Sequence, residues 1–133
     1  MIYMIDTNIC SYIIRNTPEE IKVKLKEVEQ EHELALSSIV VSELFYSAYK
    51  KNSERLINLV KSFVENFTIY SFDTKAAEIY GKIRAELERK GNIIGAYDLQ
   101  IAAHAISLGA VLVTNNEEEF RRIENLRVEN WVR

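Results

Sequence analysis

Three carboxylates stand out by where they fall in the chain. Asp6 ends the apolar run Ile2 to Ile5 and is followed at once by Thr7 and Asn8. Glu43 lies inside an amphipathic stretch, with Ile39 four residues before it and Val40, Leu44 and Phe45 around it. Its carboxylate therefore points at or near the core side of a helix. Asp98 heads the most apolar helical stretch, with Ile101, Ala102 and Ala105 following at helical spacing. Gly95 and Ala96 just before it leave room for close backbone approach. Asn115 and Asn116 follow another apolar run and precede a helical turn, which would set an amide oxygen beside the carboxylates. Carboxylates gathered in a partly dry site repel one another strongly. A hard divalent cation relieves that repulsion, and Mg²⁺ takes a few carboxylates while keeping waters or substrate phosphates. Such an ion activates water and holds an in-line phosphate displacement. This chemistry needs no nucleophilic Ser, Cys or His, and no convincing candidate for those roles is present.

Each of these residues also has a plainer use. Asp6 is a good helix N-cap, and Asp98 can satisfy backbone amides at a helix start. Glu43 can lie at the edge of an apolar stripe with its tip in water. Asn115 and Asn116 suit turns and caps. Asp73, between a strand and a surface-type helix, is read as a cap alone. Scarcity sharpens the question: Asp6, Asp73 and Asp98 are the only aspartates, against seventeen glutamates. His104 lies among alanines and reads as a packed histidine, and Cys10 as a small packed residue without an activating partner.

The balance of the chain bounds the classes open to it. It has 133 residues, the size of one domain spanning 1–133. Seventeen Lys and Arg against 20 Asp and Glu leave a net charge of −3, which argues against coating nucleic acid by bulk charge. One cysteine excludes an internal disulfide and a multi-cysteine zinc site. Two histidines argue against a His-built metal site. No apolar run reaches the ~18 residues of a membrane span, and no signal peptide is evident, so a soluble, cytoplasmic protein is expected.

The elements that must position these residues follow from periodicity and punctuation. Strands are expected at Ile2 to Ile5, Leu34 to Leu36, Thr68 to Phe72 and Ala110 to Val113, with a possible fifth, edge strand at Arg127 to Trp131. Helices are expected from Asp6 to about Asn16, from a Thr17-Pro18 cap to about Glu33, from Ser37 or Ser38 with Val40, Leu44 and Ala48 on one face, and from Ser53 to Asn66. Two more run from the Asp73 cap to Lys90 before Gly91, and from Ala96 to Leu108 before Gly109. A short turn of helix covers about Glu118 to Arg122. Alternating strands and helices predict an α/β domain with a mostly parallel four- to five-stranded sheet. Ligands of such sheets bind beyond the carboxyl ends of the strands, which points at Asp6, the 37–43 segment and 114–116.

The order and spacing of several motifs resemble a known family. They are Met4-Ile5-Asp6-Thr7-Asn8, then Ser37-Ser38-Ile39 leading to Ser42-Glu43-Leu44, then Ile94-Gly95-Ala96-Tyr97-Asp98 with Ile101-Ala102. Leu112-Val113-Thr114-Asn115-Asn116, Glu119-Phe120 and Val128-Glu129-Asn130-Trp131 complete the set. Together they look like a PIN-domain ribonuclease of the VapC toxin type. The resemblance implies a three-layer α/β/α PIN-like fold and a Mg²⁺- or Mn²⁺-dependent endoribonuclease. Asp6 and Asp98 match the family's metal-holding aspartates, and Glu43 its helix glutamate. Asn116 falls where many members carry a fourth acid. The resemblance also implies a homodimer, an RNA substrate such as a tRNA, and a VapB-type antitoxin bound in a toxin–antitoxin hetero-oligomer. Lys50, Lys51 and Arg55, then Lys82, Arg84, Arg89 and Lys90, then Arg121, Arg122 and Arg127 are the basic groups that could hold phosphates or simply solvate helix faces. Tyr97 and Phe120 could stack a base or pack at the rim. Two other readings are a haloacid-dehalogenase-like phosphatase, which wants an acid where Asn8 stands, and a PIN domain that binds RNA without cutting it. A receiver-type signalling module lacks paired acids beside Asp6.

Overall fold

Short apolar runs that cannot alternate polar and apolar faces must be covered on both sides, and the central strands of this sheet are. The computed structural model describes residues 1–15 and 19–132. It holds β1 (Ile2–Ile5), β2 (Glu33–Ser37), β3 (Thr68–Tyr70), β4 (Val111–Val113) and β5 (Arg127–Glu129) in one sheet of order β3-β2-β1-β4-β5. Every pairing is parallel, so the sheet expected to be mostly parallel is wholly so among the described residues. Met4, Ile5, Leu36, Leu112 and Val113 are fully buried in its centre. Burying each such side chain is worth about 1.5–3 kcal/mol, which makes β1 and its two neighbours the firmest part of the molecule.

The helices are α1 (Thr7–Ile14), α2 (Glu19–Glu29), α3 (Ser38–Lys50), α4 (Glu54–Val64), α5 (Thr74–Arg89), α6 (Ala96–Leu108) and α7 (Glu117–Phe120). Right-handed crossovers lead outward from β1 to β2 to β3, then back past β1 to β4 and β5. This reversal puts α1–α4 on one face and α5–α7 on the other, a three-layer α/β/α arrangement. Helix α3 buries Val40, Leu44 and Ala48, the face its spacing predicts. Helix α6 buries Leu99 and the run 101–105, and stops where Gly109 adopts φ 65°, which costs glycine little. The Ala110 amide closes that end by donating to the Ala105 carbonyl at 2.9 Å. Asp73 caps α5, accepting from the Ala76 amide at 3.0 Å.

Several boundaries differ from the sequence reading by one to four residues, and two of them have a clear cause. Helix α2 stops at Glu29 rather than near Glu33, because Glu33 is already paired with Ile2 in the sheet. Strand β3 stops at Tyr70, because the Phe72 amide turns away to the Ser38 hydroxyl at 3.0 Å. The Thr17-Pro18 cap lies outside the described residues.

Candidate active site

The strand order reverses between β1 and β4, and sheets of this kind bind ligands beyond the carboxyl ends of the strands at such a point. Asp6 stands at the end of β1 and is 4% exposed. Its Oδ1 accepts from the Thr7 amide at 2.8 Å, and its Oδ2 accepts from the buried Thr114 hydroxyl at 2.8 Å. Capping and site chemistry are thus not alternatives for Asp6, since its carboxylate is oriented by both helix and strand. Burial raises its pKa above the ordinary value, and the two donors pull it partly back.

Asp98 comes within range of the Asp6 charge from the first turn of α6 and is half-buried. Its pKa is pushed up to about 6 by burial first, then by the charges on Asp6 and Glu119 and a hydrogen bond with Glu119. Glu119 belongs to α7, whose fully buried Phe120 anchors the helix to the sheet. The Asn116 side-chain amide donates to Glu119 Oε2 at 2.9 Å. Its donor end, rather than its oxygen, therefore meets the acidic cluster. Asn116 begins α7 without a side-chain capping bond, and its backbone amide donates to the Thr114 hydroxyl at 3.0 Å.

Glu43 is half-buried on α3, and its charge acts on the Tyr97 hydroxyl together with that of Asp6. Burial is the leading reason the Tyr97 hydroxyl holds its proton far above the usual range. That hydroxyl is hydrogen-bonded to Thr7 Oγ1. Among the described residues no three His, Cys, Asp or Glu side chains close on one point as a ready-made metal cage. Two neighbouring carboxylates do remain, Asp6 disfavouring the ionisation of Asp98, and one or two carboxylates are what Mg²⁺ ordinarily takes from protein.

The chain is similar in sequence and fold to proteins of known type. The PIN domain profile matches residues 3–126. Ribonuclease VapC2 of Rickettsia felis is 46% identical over 132 residues, 98% of each chain. The chain is a PIN-domain protein of the VapC family. A Salmonella typhimurium protein named tRNA(fMet)-specific endonuclease VapC is 43% identical over 130 residues, 97% of each chain. The Rickettsia felis VapBC2 crystal structure, bound to a DNA fragment from its promoter, superposes with a TM-score of 0.94 at 45% identity, covering 99% of this chain and 100% of that one. Membership sets aside the phosphatase and receiver readings.

In this VapC-type chain the sequence reading points at the 114–116 segment and includes Glu119 in a motif, but gives neither Thr114 nor Glu119 a part of its own beside the carboxylates. Three consecutive acids, Glu117, Glu118 and Glu119, offered no local reason to choose one, and only the docking of Phe120 selects Glu119. Thr114 had a signal, a hydroxyl at the end of a strand beside that of Asp6. His104 is a packed histidine as expected: its Nδ1 meets the Ser37 hydroxyl at 2.7 Å, and its ring also hydrogen-bonds the Ser71 backbone. Cys10 is fully buried and burial holds its thiol protonated. The basic groups divide. Arg84 pairs with Glu88, Lys90 with Glu124 and Arg121 with Glu117, whereas no ion pair involves Lys50, Lys51 or Arg55 among the described residues.

Proposed function

We propose that this PIN domain is a divalent-metal-dependent endoribonuclease and the toxin of a toxin–antitoxin pair. The observation that carries the reading is the Asp6–Asp98–Glu119 cluster at the strand-order reversal, where burial and mutual repulsion hold Asp98 at about 6. Asp6 and Asp98 would hold Mg²⁺ or Mn²⁺, Glu43 would complete the acidic set, and Asn116 would steady it through Glu119. When bound, the ion supplies an activated water and neutralises charge on the phosphodiester. The chain's own part is orientation. The Thr114 hydroxyl and Thr7 amide fix both oxygens of Asp6, and the α6 N-terminus favours the anionic form of Asp98.

The substrate in this reading is RNA, and the Salmonella relative's name supports a tRNA. The VapBC2 complex of Rickettsia felis supports a VapB-type antitoxin as partner. In this reading the two form a hetero-oligomer built on a toxin homodimer. The reading puts the protein in the cytoplasm, where such partners are met. Among the described residues no helix is long and apolar enough to cross a membrane.

The test is cleavage of labelled tRNA by purified protein. Asp6→Asn abolishes cleavage while the circular dichroism spectrum stays that of the wild type, and EDTA abolishes wild-type cleavage. Full activity of the variant, or undiminished cutting in EDTA, overturns the mechanism. RNA binding without cleavage in Mn²⁺ leaves a binding module instead.

A further inference from the structure

The first turn of α6 carries Asp98 and is held by the buried Ile94 and Leu99 rather than by a side-chain cap. Its N-cap is Gly95, which makes no side-chain capping bond, and Ile93 and Gly95 before it are exposed. What reaches across from this turn to the Asp6 side is the Tyr97 hydroxyl, bonded to Thr7 Oγ1. Thr7 is occupied at both ends, because its backbone amide also holds Asp6 Oδ1 at 2.8 Å. A continuous path therefore runs from the carboxylate of Asp6 through Thr7 to Tyr97, the residue preceding Asp98. The two acids stand 92 positions apart in the chain and on different helix starts. Asp6 disfavours charge on Asp98, and the hydroxyl pair is the contact that ties the turn bearing Asp98 to the residue that orients Asp6.

We infer that the Tyr97–Thr7 hydroxyl pair positions Asp98 against Asp6 so that the two carboxylates can share one divalent cation. Tyr97 is on this account a positioning residue whose ring need not touch substrate. Sites of this kind lose much of their function when a supporting contact lets a ligand drift by about 1 Å. The inference rests on the metal-dependent reading above.

The experiment is Mn²⁺ binding to the full-length, metal-stripped protein, followed by electron paramagnetic resonance of free Mn²⁺, with thermal melts alongside. Tyr97→Phe keeps the ring and removes the hydroxyl. Thr7→Val removes its partner, and Thr7→Ser restores a hydroxyl. Tyr97→Phe and Thr7→Val should each weaken Mn²⁺ binding roughly 5- to 10-fold, about the worth of one hydrogen bond. The double variant should be no weaker than either single one, since both break the same contact. Thr7→Ser should bind like the wild type. Wild-type affinity in Tyr97→Phe and Thr7→Val overturns the inference, and is also the result if Tyr97 serves only to stack a base. Weak binding by Thr7→Ser, equal to that of Thr7→Val, overturns it as well. A wild-type protein that binds no Mn²⁺ shows in the first titration and overturns the metal reading itself, and this inference with it.

Discussion

Asp98 should make the metal-free protein less stable than a neutral residue would. In the unfolded chain its carboxyl ionises near the ordinary 3.8, whereas in the fold it resists until about 6. At 1.36 kcal/mol per pH unit, keeping it ionised at neutral pH costs about 3 kcal/mol. The side chain is only half-buried, and solvent screening reduces this to about 1.5 kcal/mol. Asp98→Asn removes that cost but also forfeits about 0.5 kcal/mol of favourable charge at the α6 N-terminus. A net gain of about 1 kcal/mol remains, or roughly 3–5 °C in Tm for a domain of this size. The sign follows from proton counting. Between about pH 4 and 6 the folded state holds more protons on Asp98 than the unfolded state, so this group's contribution falls as pH rises through that window. Below about pH 4 the carboxyl is neutral in both states and the gap closes. Thermal melts of wild type and Asp98→Asn in EDTA, from about pH 4 to 7.5, measure it directly. A variant no more stable than wild type at the upper end, or a gap that persists at the acid end, refutes the reasoning. Added Mg²⁺ should raise the wild-type Tm and leave the variant's unchanged, because only a state that binds the ion is stabilised by it.

Two further outcomes follow from neighbouring contacts. Burial holds the His104 pKa below 6.5, against the opposing pull of Asp73 and the Ser71 hydrogen bond. The folded state therefore binds fewer protons there than the unfolded state, and stability should fall as pH drops below about 6.5. His104→Ala should cost about 2–4 kcal/mol through the cavity and the loss of one of the Ser37 hydroxyl's two partners, and should flatten that part of the pH profile; an unchanged urea midpoint refutes this. Glu119→Gln replaces a repelling acid with an amide donor, so carboxyl-carbon NMR should show Asp98 titrating below about 6, and an unmoved midpoint refutes Glu119's part in the cluster.

Much of the framework was legible in the sequence because its signals are local. The apolar run of β1, the Val40–Leu44–Ala48 face of α3, the Asp73 cap and the stop of α6 at Gly109 each depend on residues within a turn or two of one another. Asp6 and Asp98 stood out for a similar reason, as scarce aspartates placed where apolar runs end or begin. Only the tertiary structure decided which groups meet. The hydrogen bond from Thr114 to Asp6 spans 108 positions and exists because β4 pairs with β1. The choice of Glu119 over its acidic neighbours exists because Phe120 is buried. The elevated pKa of Asp98 arises from desolvation and from the charges of side chains on β1 and α7. Periodicity and capping are properties of consecutive residues, whereas burial and charge proximity depend on strand order and register. The sequence by itself therefore determined the elements and the aspartates most worth asking about, and the packing of α6 and α7 against the sheet determined which side chains surround them.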